Sequence, residues 1–494
     1  MFWNDFLIYS VILLIGIVTF ILIIGWRSVF NPTGPVLIYL IIFTVTYWLK
    51  PIADYLWVYV GRYDDVPQLF HQHREKISVA VFLALFSFSI GYRVSKSLYS
   101  CSLPSATSEL SPPSDPQKLT KLQLLFLVVI LSFGYWSLFN YSVFPGISDH
   151  YSGFSIVPTR AGGIFVENTG YLVKGHLFIA TGCILCYAWT RNYWLTLLMG
   201  GPWILGKLYQ GWGRNSLMIF FLAFFILTLI QARQTRGMPM ARQSNWFHLT
   251  ISVVLVLGFL ILFPVIRFQR DFFQAYGPSP SRIISGIQEA YALRHRGTLT
   301  EDLAGFNDSL YFLAQVPKTI DYQYGIEYLY KYLVAPIPRM LWREKPFGYT
   351  DWSVTRWLEI RVPYWDPRRY GAAPGSIGEA YLNGGWLGII LIFGLTGFCL
   401  SLANTLFLQH RASPAIQTGY AMIYGYICLL GRDGFLSVFP FFFLFTGIPV
   451  AIAFFLETRT NGLIFSKVGG QKPNYGKVFI GGKSSRLKKS RGLR

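Results

Sequence analysis

The sequence predicts an all-α polytopic integral membrane protein with about eleven transmembrane helices and one large external loop. Of the 494 residues, 53% are hydrophobic and only 13% are charged, whereas soluble domains carry about a quarter charged residues. Apolar runs of roughly 15 to 22 residues recur, and such runs cross a bilayer core of about 30 Å. The 43 Lys and Arg residues outnumber the 23 Asp and Glu residues, which calls for an anionic membrane leaflet or nucleic acid as a partner. The apolar runs favour the membrane, so we expect neither a soluble enzyme nor a nucleic-acid partner.

Segments with few charged residues give the positions of the spans. We expect about eight helices in an N-terminal bundle over residues 1–266 and the others within residues 376–457. A large external loop at 267–375 separates the two groups, and a basic tail follows at 458–494. The Ser/Pro-rich stretch 102–117 has no periodicity and is interpreted as a linker. The predicted spans are 6–26, 34–49, 77–92, 122–139, 169–187, 193–205, 216–231, 247–266, 386–406, 416–430 and 440–456.

The distribution of Lys and Arg predicts the orientation of the helices. The tail carries basic residues from Arg459 to Arg494 and no Asp or Glu, and short positively charged segments stay in the cytoplasm. We therefore expect a cytoplasmic C-terminus and, with an odd number of helices, an external N-terminus. The loops that this topology assigns to the cytoplasm contain Arg27, Arg191 and Arg236 and almost no carboxylates.

The predicted external loop is rich in arginine and aromatic residues. Guanidinium groups bind diphosphate oxygens in bidentate fashion. External substrates of membrane enzymes are commonly attached to a lipid diphosphate. The alternative is that these arginines form solvated ion pairs with Asp and Glu residues of the same loop. Tryptophan rings stack on sugar faces, and they also form an aromatic belt at the bilayer interface. We expect one or both of these roles for Trp342, Trp352, Trp357 and Trp365. Because the other loops are short, we expect the chemistry to lie in this region.

Two segments of this region carry the most specific patterns. In PIPRMLWREKP, residues 336–346, prolines stiffen a turn that carries Arg339, Arg343 and Lys345. In GSIGEAYLNGGWLG, residues 375–388, Glu379 stands at the external mouth of the next span together with Tyr381 and Asn383. A carboxylate at a membrane boundary is a candidate general base. The alternative is an interfacial residue that caps a helix or pairs with a nearby arginine.

Three further charged residues lie at predicted helix ends. Arg214, in GWGRNS, is expected at headgroup depth, where a diphosphate lies, although snorkelling from a helix end explains its position equally well. Arg432 and Asp433, in GRDG, occupy a very short external turn between two spans. They either contact substrate or neutralise each other.

The sequence contains no complete motif for binding a metal ion or a nucleotide. There is no HExxH motif, and His71 and His73 point to different faces of a helix. The stretch 475–485 resembles a P-loop but has Lys477 in place of the first glycine. Asp64 and Asp65 form an acidic pair of the kind that holds a divalent ion in some lipid-dependent glycosyltransferases. We expect no metal site and no cofactor.

The segments 336–346 and 375–388, with GWGRNS before a span, resemble the O-antigen polymerases, the Wzy class of bacterial oligosaccharide repeat-unit polymerases. The resemblance is strongest from about Arg267 to Leu406. It implies a multi-pass enzyme of the bacterial inner membrane that joins undecaprenyl-diphosphate-linked glycans on the periplasmic face. The product is O-antigen, capsule or exopolysaccharide. The resemblance also suggests that a chain-length regulator and a flippase of the same pathway are partners.

In such a reaction, a hydroxyl of the incoming lipid-linked repeat unit attacks the anomeric carbon of the growing chain. The diphosphate is a good leaving group, so cations stabilise the departing charge and a carboxylate takes the acceptor proton. We expect Glu379 to be the base, with inversion at the anomeric carbon. The cations expected at the diphosphate are Arg214, Arg270, Arg339, Arg343, Lys345 and Arg432.

Two other functions remain open at the level of the sequence. An O-antigen ligase-like enzyme would use the same donor but depends on a histidine in the large loop, where only His295 is available. A transporter or flippase of lipid-linked glycans would show inverted repeats and broken helices in both halves of the chain.

Overall fold

The computed structural model describes residues 2–31, 34–52, 66–100, 119–139, 156–158, 164–166, 174–210, 214–234, 247–258, 305–334, 336–337, 341–342 and 375–468. These residues are almost entirely helical, as predicted. A pair of antiparallel strands, β1 (Ile156–Pro158) and β2 (Ile164–Val166), is the exception. The helices are α1 (Phe2–Ile24), α2 (Trp26–Val29), α3 (Pro35–Thr44), α4 (Val66–Ser100), α5 (Lys121–Leu138), α6 (Leu177–Thr190), α7 (Tyr193–Gln210), α8 (Arg214–Gln234), α9 (Phe247–Gly258), α10 (Gly305–Gln315), α11 (Ile326–Leu329), α12 (Gly375–Gln409), α13 (Pro414–Phe442) and α14 (Ile448–Val468).

Seven of the described helical segments are long and apolar enough to cross a membrane, which identifies a membrane protein. Each of the seven overlaps a predicted span. The shorter apolar helices α6 and α9 lie at two further predicted positions, and the total of about eleven spans stays a prediction. The seven segments are Asn4–Ile24, Pro35–Ile52, Gln68–Tyr99, Lys121–Leu138, Asn215–Gln234, Gly375–Gln409 and Val438–Arg459.

Local signals fix several helix ends. Thr120 caps α5, because its hydroxyl accepts from the backbone N–H of Gln123 while the Gln123 side chain accepts from the backbone N–H of Thr120 at 3.0 Å. Ser413 caps α13 by accepting from the backbone N–H of Ile416 at 3.3 Å, and Pro414 occupies the first position of the helix. Proline is favoured there because its missing N–H would have no helical partner.

Contacts between the first two apolar segments define one end of the bundle. The hydroxyl of Tyr9 on α1 donates to the carbonyl of Tyr47. Later on α1, Phe20 stacks on Phe88, and the earlier residue Tyr39 of α3 stacks on the same ring, so α1 and α3 with the segment that continues it are antiparallel. Consequently α1 begins where that segment ends. We call this side, which holds Tyr47 and Glu379, the Glu379 end of the bundle.

The last two apolar segments form an antiparallel hairpin. A Cβ atom at Gly419 of α13 would lie 3.0 Å from the Val450 side chain of α14, and the backbone N–H of Ala415 donates to the Glu457 side chain at 2.9 Å. The reversal occurs at Gly434, whose backbone is not helical. The prediction that GRDG turns the chain between two helices is therefore confirmed. We call the opposite side of the bundle the Glu457 end.

The packing of α4 against α12 depends on glycines. A Cβ atom at Gly91 would lie 1.9 Å from the carbonyl oxygen of Gly394, and one at Gly397 would lie 2.0 Å from that of Phe88. Only glycine permits the two backbones to come this close, as at many helix contacts within membranes.

Part of the predicted external loop belongs to the core of the bundle. Helix α10 falls within 267–375, yet its residues from Gly305 to Ala314 are all buried. It packs on α12 and α4, and the Lys76 ammonium of α4 donates to the carbonyl of Leu313 at 3.3 Å. The polar residues Asn307, Asp308 and Ser309 therefore line the interior rather than a solvated loop.

Candidate functional site

Two breaks in the helices come together at the Glu379 end. Helix α12 is interrupted at Gly384 and Gly385, and α13 at Gly434. Gly385 has φ +57° and Gly434 has φ +74°, a region that favours glycine over other residues. Each break separates a short helical segment from the rest of its helix.

The first part of α12, residues 375–383, folds back onto the part that spans the membrane. A Cβ atom at Gly388 would lie 2.1 Å from the carbonyl oxygen of Ala380. In a continuous helix, residues eight apart are separated by about 12 Å along the axis, so this contact requires the chain to reverse at the break. Glu379 therefore lies on a short inner helix beside the span.

Glu379 is completely buried, with 0% of its surface exposed. Its Oε1 accepts a hydrogen bond from the backbone N–H of Phe435 at 3.1 Å and another from the Tyr328 hydroxyl at 2.9 Å. Its Oε2 lies against Gly434, where a Cβ atom would come within 2.1 Å. The carboxylate is thus held by groups from two other elements, Tyr328 of α11 and the Gly434–Phe435 segment of α13.

Phe435 begins the helical segment that follows the break in α13. The first backbone N–H groups of a helix have no partner within the helix, and its dipole favours negative charge there. Glu379 therefore caps this segment from a different helix. At the opposite end, Glu457 accepts from the Ala415 N–H at 2.9 Å and the Trp189 indole at 2.6 Å, so it caps α13 in a similar way.

Tyr328 keeps its proton in this environment. Burial, followed by the nearby charge of Glu379, raises the pKa of Tyr328 well above its ordinary value. The hydroxyl is therefore a hydrogen-bond donor throughout the physiological range, and the carboxylate is its acceptor.

A second layer of polar groups supports the inner helix. The Tyr47 hydroxyl accepts from the Ile377 N–H at 3.2 Å and contacts the Ser309 hydroxyl oxygen at 3.3 Å. The same Ser309 oxygen accepts from the Gly378 N–H at 3.1 Å. Asp308 of α10, 3% exposed, is close enough to interact electrostatically with Tyr47. The N-terminus of the inner helix is therefore satisfied by side chains from α10 and from the segment that continues α3.

Tyr381 and Asn383, which were predicted to line the site with Glu379, lie on the same inner helix. The Asn383 side-chain amide donates to the carbonyl of Glu379 at 2.9 Å, and its Oδ1 is buried with no hydrogen-bond partner among the described residues. The ring of Tyr381 packs edge-on against Trp386, just after the break, with centroids 5.2 Å apart. Tyr381 therefore fastens the inner helix to the span.

The structure describes only part of the predicted cation set. Arg214 is the first residue of α8, and Arg432 and Asp433 lie directly before the break at Gly434; only their backbone positions are described. Arg270, Arg339, Arg343 and Lys345 lie outside the described residues. Among the described residues, no group of three His, Cys, Asp or Glu side chains is placed to hold a metal ion.

Sequence reasoning missed Tyr328 and Ser309. Tyr328 stands in a run of tyrosines, YGIEYLY, in which nothing marks one hydroxyl above the others. Ser309 stands in GFNDSLYF, a short segment whose polar residues are typical of a solvated loop. The available signal was the position of Asn307 and Asp308 between aromatic and aliphatic residues in this segment.

The comparisons with known proteins add one match. A family model described as a domain of unknown function (DUF8712) matches residues 297–416. The matched segment includes α10, Tyr328 and both parts of α12, and it ends within the first turn of α13. Comparisons with curated proteins and with solved structures found no match.

Proposed function

We propose that the protein polymerises undecaprenyl-diphosphate-linked oligosaccharide repeat units on the periplasmic face of the bacterial inner membrane. The observation that carries the proposal is the buried Glu379 carboxylate, held by Phe435 and Tyr328 where two helix breaks meet. Arg214 and Arg432 occupy helix positions at the same end of the bundle. The resemblance to O-antigen polymerases supports the same assignment.

In the proposed reaction, the hydroxyl oxygen of the acceptor glycan forms a bond to the anomeric carbon of the donor glycan. The bond between that carbon and the lipid diphosphate breaks, and the diphosphate leaves as an anion stabilised by the arginines. Glu379 takes the proton of the acceptor hydroxyl. Direct displacement inverts the anomeric carbon, and the step uses neither a metal nor a nucleotide.

The fixed geometry of Glu379 supports its role as the base. A general base must hold one orientation within hydrogen-bond distance of the proton that it takes. Two donors on Oε1 and the glycine against Oε2 restrict the carboxylate in this way. A side chain whose only task is to neutralise an arginine at the surface does not require such support.

The broken helices favour a second candidate, a transporter or flippase of the same lipid-linked glycan. Discontinuous helices form substrate sites in many secondary transporters, where half-helix N-termini face anionic groups. In this chain, however, the N-terminus that follows Gly434 is occupied by Glu379. An anionic substrate would have to displace that carboxylate, so we place the transporter second. An O-antigen ligase-like enzyme is the remaining alternative.

Reconstitution separates these functions. The purified protein is placed in vesicles with an undecaprenyl-diphosphate oligosaccharide of its own host, with chelator and without nucleotide, and the products are resolved by size. A ladder of repeat-unit multiples supports the polymerase. Movement of intact lipid-linked oligosaccharide between leaflets, without a ladder, would identify a transporter. Transfer only after addition of lipid A core would identify a ligase.

A further inference from the structure

A buried lysine lies where α6 begins and α7 ends. Lys207, near the end of α7, has 2% of its surface exposed. Within the part of the chain that the structure describes, its ammonium forms no hydrogen bond and no ion pair. A positive charge on a side chain this buried is unfavourable unless an anion compensates it, so Lys207 calls for an anion nearby.

The neighbours of Lys207 increase the need for an anion. Its charge interacts with that of Lys174 and with His176, both of which directly precede α6. The Nδ1 atom of His176 and the indole Nε1 of Trp203 are buried without hydrogen-bond partners in the described structure. The rings of His176 and Trp203 are 6.5 Å apart, and Trp203 stands one turn before Lys207 on the same face of α7.

These groups form a built site rather than a solvated surface. Trp203 is 0% exposed and His176 is 5% exposed. The Trp203 ring packs edge-on against Phe220 of α8, with centroids 5.6 Å apart, so α8 closes one side. The ammonium of Lys207, the indole N–H of Trp203 and the imidazole of His176 lie together where α6 begins and α7 ends. All three groups are able to donate, and together they complement the oxygens of an anion.

We propose that Lys207, His176 and Trp203 form a binding site for a phosphate or diphosphate group. The charges of Lys207 and Lys174 suit the two phosphates of a diphosphate, and the indole N–H supplies a directional donor. Lys207 is a point charge with three donors, which suits a phosphate oxygen. That the group is carried by a polyprenyl lipid rests on the proposed function, whereas the oxyanion site itself does not.

Direct binding tests the site without any need for turnover. The purified protein in detergent is titrated calorimetrically with inorganic pyrophosphate and, separately, with geranyl diphosphate. We expect saturable binding to the wild-type protein. The variant Lys207→Met should lose at least about tenfold in affinity, which is about 1.4 kcal/mol. Trp203→Phe, which keeps the ring and removes the N–H, should weaken binding less. Lys121→Met, an exposed lysine at the opposite end of the bundle, should bind as the wild type does.

A melting curve without ligand provides the second readout. Lys207→Met should leave the midpoint unchanged or raise it, because it removes a buried charge. Ligand should raise the midpoint of the wild-type protein but not that of the variant. A lower midpoint for Lys207→Met without ligand would overturn the proposal, since it would assign the lysine a structural partner. Absence of saturable wild-type binding to both probes, or unchanged affinity in Lys207→Met, would also overturn it.

The two probes and the ladder assay distinguish the sources of the anion and the failures of each proposal. Tighter binding of geranyl diphosphate supports a lipid-linked ligand, and tighter binding of pyrophosphate supports a free one. Pyrophosphate binding that depends on Lys207, together with no ladder, leaves the site standing and rejects the polymerase. A ladder without such binding rejects the site alone.

Discussion

The backbone N–H of Phe435 donates a hydrogen bond, 3.1 Å long, to the Oε1 atom of Glu379. This bond joins the inner helix of α12 to the helical segment that begins after the break in α13. The two residues are far apart in the sequence, and each lies beside a glycine-dependent reversal of the chain. The carboxylate therefore couples the two breaks, and changes at either break should alter its position.

Gly434 should be sensitive to the addition of a single methyl group. In Gly434→Ala the new Cβ atom would lie 2.1 Å from Glu379 Oε2. The backbone there, with φ +74° and ψ −178°, is a conformation that only glycine adopts readily, and it adds about 1–3 kcal/mol of strain. We expect the polymerisation rate of vesicle-reconstituted, correctly folded protein to fall at least about tenfold, the effect of 1.4 kcal/mol on a barrier.

Gly201→Ala is the matched control. Gly201 lies inside α7, and no atom lies within 4 Å of a Cβ atom placed there. Replacement of a helix-interior glycine by alanine stabilises by roughly 0.5–1 kcal/mol. Its activity should therefore equal that of the wild type. Equal activity in Gly434→Ala would show that the carboxylate position is unimportant.

The Tyr328 hydroxyl should contribute to the rate without being essential. Tyr328→Phe removes the donor 2.9 Å from Glu379 Oε1, and a hydrogen bond to a charged group contributes about 1.5–3 kcal/mol. We expect the rate of ladder formation to fall by roughly 10- to 100-fold, with Glu379 still held by Phe435.

Tyr324→Phe removes a hydroxyl from a neighbouring tyrosine that is 79% exposed, and it should leave the rate unchanged. Because burial and Glu379 raise the pKa of Tyr328 well above its ordinary value, the hydroxyl should stay protonated as the pH rises. If Tyr328 lost its proton near pH 10, the wild-type rate would decline there and the Tyr328→Phe rate would not. We expect no such decline in the wild-type protein. Such a decline would contradict the assignment of Tyr328 as a neutral donor.

Asp5 should stabilise the contact between α1 and α4. Its buried carboxylate accepts from Arg74 and contacts His71, whose side chains are 31% and 37% exposed. Because these partners are partly solvated, we expect Asp5→Asn to lower the free energy of unfolding by about 1–2 kcal/mol, less than a fully buried pair.

Thermal unfolding in detergent measures this effect. Glu75→Gln, which alters an exposed acid on α4, should leave the unfolding midpoint unchanged. If the two variants unfold at the same temperature as the wild type, the contact of Asp5 with Arg74 contributes nothing to the bundle.

The sequence predicts the general architecture because long apolar runs have few alternatives to membrane-spanning helices. It also predicts the turn at Gly434, since GRDG interrupts two such runs. It does not indicate that α10, within the predicted external loop, is buried, because an 11-residue helix is too short to give a membrane signal. The burial of Asn307 and Asp308 results from packing against α4 and α12, which are distant in sequence.

The candidate site is predictable only in part for the same reason. Glu379 is singled out by its position at the start of an apolar run. Tyr381 and Asn383 are predicted with it because they lie close to it in the sequence. Its partners Tyr328 and Phe435 come from other elements, and a backbone N–H carries no sequence signal at all. Lys207 and Trp203 are single residues in an apolar helix, so their shared burial becomes visible only when α6 and α8 are packed beside them.

The polymerisation rate of Glu379→Gln, compared with that of Glu457→Gln, tests the central claim most directly. Both are buried carboxylates that cap helices, one at each end of the bundle, and glutamine preserves the shape of each side chain. With equal amounts of folded protein in vesicles, Glu379→Gln should lower the rate of ladder formation by at least about 10², the usual contribution of a general base, while Glu457→Gln should retain the wild-type rate. A wild-type rate in Glu379→Gln would contradict the assignment of Glu379 as the base.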